Sequence, residues 1–183
     1  MSAREIRVGL PVSGSGRFQL HGQQALNGIR LWQAYVNAKE GIPVGNICRP
    51  VRLIWYDDEA RTSRTRANVL RLLRDDRVDI LLGPYSSSLT MPEAEIAEEH
   101  KKVLWNYGGT SDELFDHGSQ YIIGISSPAS DYFRTLPRWI AREQPELRRI
   151  SILYSAKGTF ARQVRRGLIE ASQEMATQFS RFR

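Results

Sequence analysis

At 183 residues, with 26 Lys and Arg against 20 Asp and Glu, the chain is long enough for one α/β domain plus part of another and too short for two. Hydrophobic residues make up 41% and charged residues 25%, the balance of an ordinary globular protein, and no apolar run approaches the roughly 18 residues of a membrane span. The net charge of +6 raises nucleic acid as a partner. However, only Lys39, Lys101, Lys102 and Lys157 are lysines, and the arginines lie along helical faces with acidic residues between them. No recognition helix, zinc-finger spacing or aromatic-and-basic motif accompanies them, so nucleic acid is not an expected partner.

The first apolar run begins by Ile6, with no basic leader, long apolar stretch or small-residue cleavage site before it, so no export signal is expected here. Ile6 to Leu10 reads as a strand and ends in the turn-rich stretch PVSGSGRF. Ala25, Ile29, Trp32 and Val36 then recur near helical spacing, and Gly41 closes that helix. Val51 to Tyr56 predicts a second strand ending at Asp57 and Asp58. Residues 62 to 75 predict a helix capped by Thr62 or Ser63, with Val69, Leu72 and Leu73 inward. Val78 to Leu82 is a third strand, Thr90 to Lys101 a third helix, Val103 to Trp105 a fourth strand and Tyr121 to Ile125 a fifth. Past SSPASDYF the pattern changes: a helix capped by Ser130 or Asp131 runs to about Arg142, Arg149 to Tyr154 predicts a sixth strand, and Thr159 to Met175 a last helix. One strand makes no sheet, so this second lobe looks unfinished.

Short alternating strands and helices predict a doubly wound α/β fold with a parallel sheet and helices on both faces. The domains are expected at 1–126, an N-terminal α/β ligand-binding lobe, and 127–183, a partial second lobe of helix, strand and helix. Ligands of such sheets bind beyond the carboxyl ends of the strands. That rule gathers Ser13 to His21, Asp57 to Glu59, Tyr85 to Ser88 and Tyr107 to Ser111 onto one rim.

Three adjacent serines in LLGPYSSSLT stand where a strand meets a helix, and two readings of them stay open. They cap the helix near Thr90, or they bind an anion at its N-terminus, where unpaired N–H groups and the helix dipole favour negative charge. Asp57 and Asp58 read as a structural turn rather than a metal or phospho-acceptor site. GSGRF lacks the Lys-Ser/Thr of a phosphate loop and the third glycine of a dinucleotide fingerprint. GPYSSSLT lacks the G-x-S-x-G elbow of a hydrolase, so catalysis is not expected. His21, His100 and His117 have no metal-ligand spacing, and the single Cys48 admits no internal disulfide. No cofactor is expected.

The stretches IRVGLPVSGSGRFQLHGQQALNGIRLWQAYVNAKEGI, YDDEARTSRTRANVLRLL, VDILLGPYSSSLTMPEAEIAEEH and GGTSDELF, in that order, resemble the type I periplasmic binding proteins of the leucine/isoleucine/valine-binding family, the substrate receptors of branched-chain amino acid ABC transporters. The resemblance covers most of residues 5 to 125 and continues more weakly to about 175. It implies a complete first lobe, a truncated second lobe, and an amino acid or similar small carboxylate as ligand. By position, Ser87 would bind the carboxylate, Ser86 would neighbour it, and Tyr85 would line the pocket. Gly108 would offer its carbonyl to an ammonium, and Thr110 its N–H and hydroxyl. His21 falls where the family often carries an aromatic ring, and Phe160 where it often carries a tyrosine, whose hydroxyl is lost here.

The resemblance also implies ABC permease subunits as partners and a periplasmic location. The lack of a leader leaves a cytoplasmic, amide-sensor-like regulator as the alternative, alongside a truncated, non-binding fragment. An uncovered apolar rim would favour a homodimer or an aggregation-prone monomer.

Overall fold

β-branched and apolar residues open the chain as β1 (Ile6–Val12) in the computed structural model, which describes residues 4–116, 118–147 and 149–180. α1 (Gln19–Ala38) follows after a short 3-10 turn at Gly16–Phe18. The chain then forms β2 (Ile42–Val44), β3 (Ile47–Arg49), β4 (Val51–Asp57), α2 (Thr62–Arg74), β5 (Ile80–Leu82), α3 (Ser87–Glu99), β6 (Leu104–Asn106), α4 (Glu113–Asp116) and β7 (Ile122–Gly124). A 3-10 turn at Ala129–Asp131 precedes α5 (Leu136–Glu143) and α6 (Phe160–Ser180).

The five longer-range strands form one sheet in the order β4-β1-β5-β6-β7, every neighbouring pair parallel. β1 and β4 share the longest ladder, from Ile6 opposite Val51 to Val12 opposite Asp57. Side chains alternate across the pleat. Leu81 and Leu104 are fully buried, as are Val69 and Leu72 of α2 and Leu89 and Ala97 of α3. Each fully buried Leu or Val stabilises by roughly 1.5–3 kcal/mol. On the opposite face Leu10 and Val12 pack with Leu26 of α1, and Ile29 and Leu82 join them.

That second face is covered only in part. Ile6, Val8, Ile80, Leu82 and Trp105 of the sheet, with Ile29 and Trp32 of α1, line an apolar groove of about 610 Å³, and Trp105 is 43% exposed. One helix spans too little of the sheet to close it.

The end of α1 shows why Gly41 is a glycine. It sits at φ +98° and donates its N–H to the Val36 carbonyl, while a Cβ there would lie 2.1 Å from the Arg49 carbonyl. The turn feeds the β2–β3 hairpin, which the sequence patterns do not announce.

Contacts divide the chain into two units, Met1–Gly109 with Gly118–Ser126, and Thr110–His117 with Ser127–Arg183. In the second unit α6 packs on the Ala129–Asp131 turn. Gly167 allows this, because a Cβ there would lie 1.9 Å from the Ser130 carbonyl.

The expected sixth strand at 149–154 does not form among the described residues. Ile150, Ile152, Leu153 and Tyr154 are exposed instead, Leu153 completely. The run has strand composition, but a strand needs a ladder partner, and the described residues of this unit supply none. Its neighbouring helices also shift: a 3-10 turn occupies Ala129–Asp131, α5 begins only at Leu136, and α6 extends to Ser180.

Candidate functional site

The carboxyl ends of β1, β4, β5 and β6 bring four loops of the first unit to one rim. Asp57 and Asp58, at the end of β4, fasten the first two. Asp57 Oδ1 accepts N–H bonds from Gly14 at 2.9 Å, Ser15 at 3.2 Å and Glu59 at 2.8 Å. Burial alone would raise the Asp57 pKa, but these donors hold it below the ordinary aspartate value. Asp58 Oδ1 accepts from the Ser13 hydroxyl at 2.7 Å and the Ala60 N–H at 2.8 Å. Desolvation nevertheless pushes Asp58 upward. Both carboxylates latch turns.

α3 begins at Ser87, three residues earlier than the Thr90 start expected from the sequence. Its N-cap is Ser86, at φ 88° and ψ 140°, with no side-chain capping bond. Ser86 Oγ instead lies 3.1 Å from Ser88 Oγ, and the Ser86 N–H donates to the Gly108 carbonyl at 3.2 Å. Thr90 supplies a different lock, its hydroxyl donating to the Ser86 carbonyl at 3.0 Å. Ser86 therefore does not cap by its hydroxyl, and Ser87 and Ser88 occupy the first turn of the helix.

Gly108 makes this junction tight. A Cβ at Gly108 would lie 2.5 Å from the Pro84 carbonyl and 2.9 Å from the Tyr85 Cα. Asn106 shapes the same loop, its Oδ1 accepting from Gly108 at 3.2 Å and Gly109 at 2.8 Å while its amide donates to the Gly109 carbonyl. The Gly108 carbonyl, expected to face an ammonium, already receives the Ser86 N–H.

Aromatic side chains complete this side. His21 stacks on Tyr85, ring centroids 4.3 Å apart and planes 12° apart, and Phe18 meets Tyr85 edge-on at 5.5 Å. The Arg17 guanidinium lies 4.5 Å above Phe18 and reaches Ser88 Oγ at 3.5 Å. Among the expected residues, the structure thus brings His21 to Tyr85 and Ser86 to Gly108, with Ser87 next along the chain.

Thr110 and Phe160 belong to the second unit. The Thr110 carbonyl accepts the Ala129 N–H at 2.7 Å, and Phe160, the first residue of α6, meets Tyr132 edge-on at 5.4 Å. Gln163 organises this unit: its Oε1 accepts the Asp112 N–H at 3.0 Å and its amide donates to Glu113 at 2.8 Å. Asp112 pairs with Arg166 and accepts the Ser130 N–H. Hydrogen bonds from Ser111 and Gln163 hold Glu113 below the ordinary glutamate range.

A buried acid escaped the sequence reading. Glu93 of α3 is 0% exposed, and both of its carboxylate oxygens lack a partner among the described residues. The signal was available: Leu89, Thr90, Ile96 and Ala97, three or four residues away on the same helical face, are all buried. An acid on such a face is an anomaly that alternation of charge along PEAEIAEE conceals.

A parallel sheet with helices on both faces, whose strand ends carry a serine-rich helix N-terminus and a glycine-tight loop, is a fold of the doubly wound α/β type. The periplasmic binding protein family profile matches residues 5–179, and the chain belongs to that family. It is 28% identical over 172 residues to the Leu/Ile/Val-binding protein of Escherichia coli K12, covering 94% of this chain and 44% of the relative. The leucine-specific-binding protein of Salmonella typhimurium is 28% identical over 152 residues, covering 83% and 40%. The chain therefore spans under half the length of the curated relatives it matches.

Solved structures agree on the fold. The branched-chain amino acid transporter substrate-binding protein LivJ of Streptococcus pneumoniae, in complex with isoleucine, superposes with a TM-score of 0.80 at 18% identity, covering 92% of this chain and 47% of that one. A solute-binding protein of an ABC transporter from Rhodopseudomonas palustris, in complex with 3,4-dihydroxybenzoic acid, gives 0.78 at 19%, covering 93% and 44%. The fold expectation from the sequence holds, and no helix among the described residues is long and apolar enough to cross a membrane.

Proposed function

We propose that this chain is the ligand-binding portion of an ABC transporter substrate-binding protein that takes an amino acid or a similar small carboxylate and acts without catalysis. The observation that carries this reading is the start of α3. Its first-turn N–H groups lie at the strand-end rim, and Ser86 and Ser88 add hydroxyls beside them. A helix N-terminus favours an anion, and neutral hydroxyls add donors without competing charge. Ser87 is the proposed carboxylate donor, Ser86 its neighbour, and Tyr85 and His21 the aromatic contacts of the first unit. In the second unit Thr110 is proposed to donate through its hydroxyl and N–H, and Phe160 to make an apolar contact. For Gly108 the proposed role is narrower than an ammonium acceptor alone, because its carbonyl also fixes Ser86.

Under this reading the partners are a small-molecule ligand and ABC permease subunits, the compartment is the periplasm, and residues 1–126 and 127–183 are the complete first and partial second lobes. The half-covered sheet face supports a homodimer.

A thermal-shift panel of the twenty amino acids, short amides and small aromatic acids tests the reading on the wild type, Ser87→Ala and Thr110→Ala. A ligand at about 100 times its Kd adds roughly 2.7 kcal/mol, a shift of degrees. One ligand class should shift the wild type, and both variants should lose that shift. A wild type indifferent to the whole panel overturns the reading.

A further inference from the structure

The second unit carries a segment with strand composition and no strand partner. Residues 149–155 run without turn or bend up to the bend at 156–159 that leads into α6. All of 149–154 are exposed, and none of their backbone N–H or C=O groups is hydrogen-bonded among the described residues. Ile150, Ile152 and Tyr154 recur two apart, the spacing that places side chains on one face of an extended chain. The Arg165 guanidinium lies 5.1 Å over the Tyr154 ring, which sets this end of the segment beside α6. A row of open backbone donors and acceptors is a template for another strand.

A second copy of the same segment fits this template. Antiparallel pairing about a two-fold axis through Ile152 sets Ile152 opposite itself, Ile150 opposite Tyr154, Ser151 opposite Leu153 and Arg149 opposite Ser155. Opposite residues share a face, so the three apolar side chains of each copy join into one apolar face, and no like charges meet. Two neighbouring registers are worse. An axis between Ser151 and Ile152 mixes the faces and sets Arg149 opposite Tyr154, and an axis at Leu153 sets Arg149 opposite Lys157. A two-stranded ribbon alone is marginal. The same unit exposes Tyr132, Phe133 and Trp139, apolar surface that association can bury with it.

We propose that residues 149–154 are an interaction strand that pairs, antiparallel and centred on Ile152, with the same residues of a second copy of this chain. The contact is isologous, so the strand pair closes on two copies. It uses none of the residues that line the groove on the sheet face, and it requires no ligand.

The test is cross-linking of the full, ligand-free chain in a Cys48→Ser background, which removes the single native thiol. Ile152→Cys should give a disulfide-linked dimer on mild oxidation. Ile150→Cys should not, because its counterpart lies four residues along the ladder, roughly 13 Å away. No cross-link at either position, or equal yields at both, overturns the proposal. Trp105→Glu, on the sheet face, should leave the Ile152→Cys cross-link in place, and its loss there would assign the association to the sheet face instead. Amide hydrogen exchange gives the second readout. Protection of residues 150–154 should rise with protein concentration in the wild type, be lost in Ile152→Lys, whose charges meet across the axis, and return when that variant is mixed with Ile152→Glu. Protection that ignores concentration, or that the mixture fails to restore, overturns the proposal. Protection without the Ile152→Cys cross-link would place the segment on a sheet edge of the other copy and overturn self-pairing. Ile152 is exposed in the single chain, so these substitutions should leave its fold intact.

Discussion

Ser86 carries a backbone conformation that a Cβ makes costly, and no turn chemistry in SSSLT requires a serine there. Its N–H bond to Gly108 and the Thr90 lock on its carbonyl hold it in place. Ser86→Gly should therefore raise stability by about 1 kcal/mol, read as a higher thermal midpoint, because glycine adopts that φ without strain. An unchanged or lower midpoint would mean the Ser86–Ser88 hydroxyl contact outweighs the strain.

Glu93 makes the second residue-scale prediction. Its folded pKa lies above the unfolded value, so its contribution is intact below the ordinary glutamate range and declines as pH rises through the interval up to the folded value. Glu93→Gln cannot ionise. Its thermal midpoint should gain on the wild type as pH rises, and parallel pH profiles would contradict this. Asp57 runs the other way: its pKa is depressed by three N–H donors, so its contribution is present at neutral pH and is lost as pH falls through the acid range. Asp57→Asn should flatten the acid limb of the stability profile.

Among the elements, the junction between β6 and α3 depends on one missing Cβ. Gly108→Ala would press on the Pro84 carbonyl and the Tyr85 backbone, neither of which is a flexible side chain. The expected cost is about 2 kcal/mol or more, with loss of any ligand-induced thermal shift. A variant as stable as wild type would show that the loop yields cheaply. In the second unit, Gln163→Ala removes an acceptor from the Asp112 N–H and the Ser111 hydroxyl and a donor to Glu113, at about 3 kcal/mol for the three bonds.

These elements also show what the amino-acid pattern reveals. Alternating apolar runs mark the five sheet strands within a few residues, because each is bounded by Gly, Pro or acidic turns. The β2–β3 hairpin escapes, since each strand is three residues long and Pro43 breaks the first. RISILY reads as a strand for the opposite reason: composition records the tendency to pair but not whether a partner exists. At the rim, the serines, Gly108 and the strand-end position are legible. The inverted backbone of Ser86 and the burial of Glu93 are consequences of packing between elements, which spacing along one element does not encode.

For the whole molecule, the governing fact is the uneven cover of the sheet. α2 and α3 close one face, while α1 leaves the groove lined by Trp32, Trp105 and Ile80 open on the other. Apolar surface of this kind pairs readily. Sedimentation should show a concentration-dependent dimer, and Trp105→Glu should shift it towards monomer. A monodisperse wild-type monomer would remove the basis for a homodimer.

The parallel ladder has a further consequence, in time rather than in space. β1 finds its neighbours only across long intervals: Ile6 waits for Val51, and Val8 for Ile80. No local hairpin shelters it. On a ribosome, Val8, Leu10 and Val12 therefore stay unpaired until β4 has emerged, and β1 gains its second neighbour only with β5.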